Sequence, residues 1–289
     1  MAATNSAIFA LPPNRHRRPA RRLTRRAHIQ PATIFHPQDP SLSPEAHFPL
    51  QTVSGPDRAP FPRFINRFDS REMLLVVDGS CVNNGRHANH HTDPSAGWAF
   101  LFKGPAAPGI ASSSSYPPNN DPLSTPPGQI ALPLERHGPS GLRAEHTSNR
   151  AKLRAVIGAL QFRAWGGEGW RRVVVLTDLE YVVWGATCWL PRWVARRGNG
   201  GGGGGGGGRG VYGNRDLWEA LQGRVEELRA GGCEVAFWLV GRGDGQVSAG
   251  GGGEGEGMRA VVKEAARRAA RGYEGKEPER FTEVYGFMV

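Results

Sequence analysis

The chain has 289 residues, of which 41 are Gly and 23 are Pro, while 21% are charged and 38% are hydrophobic. All eight Trp lie between Trp98 and Trp238, so this stretch supplies the large apolar side chains that a hydrophobic core needs. The composition therefore excludes a wholly disordered chain and predicts one medium-sized domain with disordered additions.

The formal net charge of +10 is concentrated near the N-terminus, where the first 38 residues hold seven Arg and no acidic residue. The rest of the chain has 29 basic and 26 acidic side chains, so the overall charge says little about a binding face. An Arg-rich, acid-free N-terminus is typical of a mitochondrial transit peptide, and the same Arg cluster would serve equally as a nuclear signal.

Three other features bear on the compartment. No run approaches 18 apolar residues, and no secretory signal is evident, so neither a membrane span nor export is expected. Cys81, Cys188 and Cys233 have no paired spacing, which argues against a disulfide scaffold and against a zinc site. We expect an intracellular protein, mitochondrial or nuclear, with no membrane association.

Residues 1–70 have scattered Pro and no hydrophobic period, which predicts a disordered tail rich in Arg and Pro. The domain is expected over residues 71–272, followed by a C-terminal tail over 273–289. Segments rich in Pro and Ser or in Gly interrupt the domain, and we interpret them as disordered insertions at 104–128, 198–210 and 249–257.

Apolar runs at 73–77 and 97–102 predict a hairpin, and a short strand is expected at 129–134. The segment from Thr147 has helix-capping chemistry and precedes apolar residues at helical spacing. A buried strand at 173–176, a short helix, a second long helix capped by Asn214, a strand and a last helix follow. This order predicts an α/β fold with a mixed sheet and helices on its faces.

Asp78 and Asp178 both stand where an apolar run stops, and side chains at the ends of adjacent strands converge. Two convergent carboxylates suit a divalent metal. Each Asp alone would more often be a turn or capping residue. The surrounding motifs favour the site.

Five segments in this order resemble type 1 ribonuclease H, and its fungal members in particular, over about residues 73–270. The segments are Asp78-Gly79-Ser80-Cys81-Val82-Asn83-Asn84-Gly85, Ala96-Gly97-Trp98-Ala99, the helix opening Thr147-Ser148-Asn149-Arg150-Ala151-Lys152, Thr177-Asp178-Leu179-Glu180, and Asn214-Arg215-Asp216-Leu217-Trp218. The resemblance implies a mixed five-stranded sheet flanked by helices. It also implies hydrolysis of the RNA strand of an RNA-DNA hybrid by four carboxylates that hold two Mg²⁺ ions.

By this resemblance, Asp78 and Asp178 are the first and third catalytic, metal-binding carboxylates. Lys152 stands where the family has the second, a Glu, and Ala249 stands where it has the fourth, an Asp. We therefore expect impaired catalysis and doubtful Mg²⁺ binding. The ammonium of Lys152 either lies between the two carboxylates or extends to solvent. The alternative function is a non-catalytic nucleic-acid-binding module or an interaction scaffold.

The resemblance also places substrate contacts at Asn84, Thr147, Ser148 and Asn149, which match positions that hold the backbone and sugar hydroxyls of the hybrid. The alternative is that these residues only turn the hairpin and cap the helix. The expected partner is an RNA-DNA hybrid or another nucleic acid, and the chain is expected to be a monomer. A His-rich segment at 87–93 is interpreted as a solvated loop rather than a metal site.

Overall fold

The computed structural model describes residues 30–55, 58–84, 93–104, 128–190, 213–241, 257–272 and 277–286. The Arg cluster, most of the His-rich segment, Ala249 and nearly all of the three predicted insertions lie outside these ranges. Within the described ranges, no helix has the length and apolar character needed to cross a membrane.

The helices and strands follow one another closely along the described chain. In order they are β1 (Thr33–Ile34), α1 (Pro44–His47), β2 (Leu50–Gly55), β3 (Arg58–Asn66), β4 (Asp69–Val82), β5 (Ser95–Leu101), β6 (Gln129–Pro133), α2 (Ser148–Gln161), a 3₁₀ helix (Trp165–Glu168), β7 (Arg172–Thr177), α3 (Glu180–Trp184), a π-helical segment (Gly185–Trp189), α4 (Arg215–Ala230), β8 (Glu234–Leu239) and α5 (Met258–Gly272).

One mixed sheet joins all of the described strands. β4 is parallel to β7, and β7 is parallel to β8, whereas β5 is antiparallel to both β4 and β6. The α/β class and the mixed sheet flanked by helices are thus confirmed. The sheet has eight strands rather than the five expected from the resemblance, because β1 joins β8, while β3 pairs with the first half of β4 and carries β2.

The predicted tail over 1–70 is therefore wrong for its second half. Phe35 and Phe48 are buried in the core, and their rings pack against Trp238 at centroid distances of 5.1 and 6.0 Å. The sequence shows no period here because each buried aromatic residue belongs to a different short element or turn, and a period needs a long element.

The predicted C-terminal tail also packs on the domain over its described part. The guanidinium of Arg154 lies between the rings of Trp98 and Phe281, at 4.4 and 4.3 Å from their centroids. It donates to both carboxylate oxygens of Glu135 and to the carbonyl of Thr282. The fully buried Arg154 thus fastens residues 277–286 to α2.

Alternate side chains of β4 enter two separate hydrophobic clusters, one on each face of the sheet. Leu75 and Val77 pack with α2, whereas Leu74 and Val76 pack with α5. The period-2 alternation of a strand explains why this continuous apolar run is buried on both sides. The helices that flank the sheet therefore approach β4 from opposite directions.

Replacing Phe48 by Ala tests whether the N-terminal segment belongs to the core. We expect a loss of about 3–5 kcal/mol in the free energy of unfolding, because the fully buried ring would leave a cavity. Leu50→Ala, at a side chain that is 43% exposed, is the matched control and should cost less than about 1 kcal/mol. The measurement is the urea unfolding midpoint at constant slope, and equal midpoints for the two variants would contradict this packing.

Candidate functional site

The pairing between β4 and β7 ends where β7 stops, while β4 continues beside β5. The last parallel pair of β4 and β7 is Val76 with Leu176, after which β4 runs on to Val82 beside β5. Asp78 and Asp178 each come two residues after this pair. Asp78 therefore lies inside a strand, whereas the sequence suggested that it stands at the end of one. The two carboxylates are brought together, as expected.

The ammonium of Lys152 lies between these two carboxylates. Its Nζ is 2.9 Å from Oδ1 of Asp78, and it also donates a hydrogen bond to Oδ1 of Asp178. Oδ1 of Asp78 accepts a further hydrogen bond from the backbone N of Gly79, at 2.7 Å. Of the two positions considered for Lys152, the structure shows the one between the carboxylates.

The first turn of α2 lies directly against β4, and this contact places Lys152. A Cβ atom at position 79 would lie 2.3 Å from the backbone N of Lys152, so only Gly allows this approach. Thr147 is the N-cap of α2, since its Oγ1 accepts a hydrogen bond from the backbone N of Arg150 at 3.1 Å.

A buried ion pair holds the same turn against α4. Arg150 donates to both carboxylate oxygens of Asp216, at 3.0 and 2.7 Å. Asn214 precedes α4 with a positive φ of 63° and forms no side-chain cap, which corrects the expectation that it caps this helix. Its Oδ1 instead accepts a hydrogen bond from Arg150.

A row of cations on α5 faces the carboxylates from the other side of the cleft. Arg259 approaches Asp178 to 4.0 Å, and Lys263 and Arg267 follow at intervals of four residues. Together with Lys152 they line a cleft of about 730 Å³. Sequence reasoning missed this row, although the spacing of four was visible in the last predicted helix.

The predicted substrate contacts divide between two neighbouring clefts. Ser148 lines the cleft of the carboxylates, whereas Asn84 and Thr147 line a second cleft of about 710 Å³ that also contains Arg136 and Arg143. Asn149 is exposed on the first turn of α2. These positions surround the end of one helix, as an extended ligand would require.

The side chains that the structure describes in this cleft do not fit Mg²⁺ as a resident ion. Mg²⁺ needs oxygen ligands around an octahedron, whereas the described part of the cleft offers two carboxylates that are already paired with an ammonium. Among the residues described, no group of three or more His, Cys, Asp or Glu side chains could hold a metal ion.

Sequence comparison identifies the family. The ribonuclease H of Treponema pallidum subsp. pallidum is 31% identical to this chain over 156 residues, which cover 54% of this chain and 74% of the relative. This chain belongs to the ribonuclease H family. The ribonuclease H of Neorickettsia sennetsu is 33% identical over 84 residues, 29% of this chain and 50% of that relative. No family model matches the chain.

Solved ribonuclease H structures resemble this chain to a limited degree. The solution structure of the PFV RNase H domain is 17% identical, with a TM-score of 0.40 over 68% of this chain and 93% of that chain. The crystal structure of LC9-RNase H1, described as a type 1 RNase H with the type 2 active-site motif, is 25% identical. Its TM-score is 0.39 over 69% of this chain and 72% of that chain.

The pair of Asp216 and Arg150 makes a prediction about stability in acid. Burial alone would raise the pKa of Asp216, but the hydrogen bonds and charge of Arg150, together with backbone hydrogen bonds from Asp216 and Leu217, hold the pKa below its ordinary 3.8. Because the folded-state pKa is the lower one, the stabilisation is complete above about pH 4 and is lost as the pH falls through the folded-state value.

We therefore expect Asp216→Asn to lower the free energy of unfolding by about 2 kcal/mol near neutral pH, and the difference from wild type to shrink in acid. Glu219→Gln removes an exposed partner of Arg215 on the same helix and should cost less than about 0.5 kcal/mol. Urea unfolding as a function of pH measures both. A loss for Asp216→Asn that does not depend on pH would contradict the assignment.

Proposed function

We propose that this ribonuclease H family chain is a type 1-like protein that binds RNA-DNA hybrids and hydrolyses the RNA strand weakly or not at all. The observation that supports this is the ammonium of Lys152 between Asp78 and Asp178. In the family pattern, the position of Lys152 belongs to a metal-binding Glu. The exchange removes a ligand and adds a positive charge at the same place.

The size of this effect follows from Coulomb's law. At about 5 Å and an effective dielectric constant of about 20, each product of unit charges is worth roughly 3 kcal/mol. A divalent ion near the carboxylates would lose the attraction of the absent Glu and experience repulsion from Lys152. Because each 1.36 kcal/mol changes a rate about tenfold, we expect cleavage at least several hundredfold below that of a four-carboxylate family member.

Hybrid binding does not depend on the missing ligands. Asn84, Thr147 and Ser148 line the two clefts, and hydroxyl and amide groups of this kind bind sugar and phosphate oxygens. In the cleft of Asp78 and Asp178, four cationic side chains against two carboxylates favour a polyanion. The proposal is therefore retained binding with impaired hydrolysis.

The test is gel-resolved cleavage of an end-labelled RNA-DNA hybrid in the presence of Mg²⁺. The unmodified protein should show little cleavage, and Lys152→Glu combined with Ala249→Asp should recover cleavage. Each single change should recover less, because carboxylates that hold metal ions act as a unit. Fluorescence anisotropy with the same hybrid should show binding by the unmodified protein.

Two controls separate the outcomes. Adding Asp78→Asn to the double variant should abolish the recovered cleavage, and Arg268→Glu makes the same change of charge as Lys152→Glu at an exposed position of α5 and should recover none. Rapid cleavage by the unmodified protein that is lost in Asp78→Asn would overturn the proposed impairment. Absence of hybrid binding would favour the interaction scaffold.

A further inference from the structure

We propose that the row Arg259, Lys263 and Arg267 on α5, facing Lys152, holds the phosphate backbone of a nucleic-acid duplex without a divalent metal. The inference rests on the proposed function and extends it, because it names the chemical group that the cleft holds and the side chains that hold it. These four cations are drawn from two helices that approach β4 from opposite faces.

The spacing of the row suits successive phosphates. Residues four apart on an α-helix lie in one stripe and are separated by about 6 Å along its axis, so Arg259 and Arg267 are about 12 Å apart along it. The distance between successive phosphates of one strand is comparable to the step between neighbouring cations of the row. A single phosphate ion would engage only part of such a row.

The charges of the row are largely available to a ligand. Arg259 is 4.0 Å from Asp178, and Arg267 is 3.9 Å from the half-exposed Glu264, so both pairs are at the limit of an ion pair. Within the described parts of the chain, no carboxylate forms an ion pair with Lys263. Weak pairs of this kind are readily exchanged for phosphate.

The balance of charge in the cleft also favours an anion. Four cationic side chains line it against two carboxylates, and Lys152 already neutralises much of the carboxylate pair. α2 begins at the same cleft with Ser148, so the positive end of its dipole adds to the field. A phosphate backbone could thus bind where an acidic site would need metal ions to attract it.

The lining further indicates a duplex rather than an isolated single strand. The described residues around the cleft include no aromatic side chain, whereas proteins that hold single strands use aromatic rings to stack bases. Contacts to phosphates alone position a duplex without reading its sequence. The expected ligand is therefore the backbone of an RNA-DNA hybrid or a similar duplex.

α5 is also held firmly enough to present the row. The backbone N of Met258, its first residue, donates to Oε1 of Glu45 at 3.3 Å. At its other end, a Cβ atom on Gly97 would lie 2.4 Å from the backbone N of Ala270, so the helix lies directly on β5. The cations therefore project from a helix fixed at both ends.

The experiment measures binding of the full chain to a labelled RNA-DNA hybrid by fluorescence anisotropy over a series of salt concentrations. In EDTA, the affinity should be at least equal to that in Mg²⁺ at the same ionic strength. The affinity falls as salt rises, and each lost phosphate contact makes the slope of log K against log salt less steep by about 0.9. The variant with Arg259→Gln, Lys263→Gln and Arg267→Gln should therefore have a slope that is less steep by roughly 2 to 3.

Arg268→Gln is the matched control, because it removes the same charge from an exposed position of α5 that does not line the cleft, and it should leave the slope nearly unchanged. Thermal unfolding of every variant checks the fold, and each single Gln variant provides the slope if the triple variant unfolds. Two results would overturn the proposed phosphate-binding role of the row and leave the proposed function intact. One is hybrid binding that requires Mg²⁺, and the other is equal slopes for Arg267→Gln and Arg268→Gln with hybrid binding retained. Absence of hybrid binding by the unmodified protein would overturn the proposed function itself.

Discussion

The contact between α2 and β4 at Gly79 determines the geometry of everything around it. Since position 79 has no Cβ, the backbone of α2 can touch the strand at Lys152. Asp78, the residue next to Gly79, is then within reach of the ammonium. Two buried Arg side chains hold this arrangement, because Arg150 joins the first turn of α2 to α4 and Arg154 joins the next turn to the C-terminal segment.

The same contact changes the chemistry of the carboxylate pair. In a metal-dependent site, convergent carboxylates repel one another until a cation arrives from solution. Here a cation is covalently part of the chain, so one of the two negative charges of Asp78 and Asp178 is balanced on folding and at any metal concentration. The site thus keeps two convergent carboxylates, while the ammonium reduces their electrostatic attraction for a divalent ion.

The N-terminal segment adds to the hydrophobic cluster on the α5 side of the sheet. Phe35 and Phe48 share a hydrophobic cluster with Val262 and Ala266 of α5, on the face of the sheet opposite to α2. Glu45, from the short helix of this segment, meets the backbone at the start of α5. The segment therefore supports the helix that carries the cations of the cleft. A part of the chain that reads as a tail contributes to the placement of the site.

The sequence alone determined the class of fold, the order of its main elements and the residues of the carboxylate pair. Long apolar runs and helical spacing are local signals, so β4, β7 and α2 could be predicted from them. The resemblance predicted that Asp78, Asp178 and Lys152 lie in one site, because the same motifs in the same order indicate the same fold topology. The joining of β1, β2 and β3 to the sheet depended on distant partners instead, and short elements have too few residues to show a period.

Only the tertiary structure decided where the ammonium of Lys152 lies and what faces it. A Lys in the first turn of a helix can extend to solvent or turn inward, and the choice depends on how closely the helix meets the strand. The row on α5 likewise acquired its meaning from packing, since cations at every fourth position describe any solvated helix face. They become a candidate phosphate site because the helix lies across the sheet from Ser148 and beside Asp178. Long-range contacts set these positions, and no local pattern encodes them.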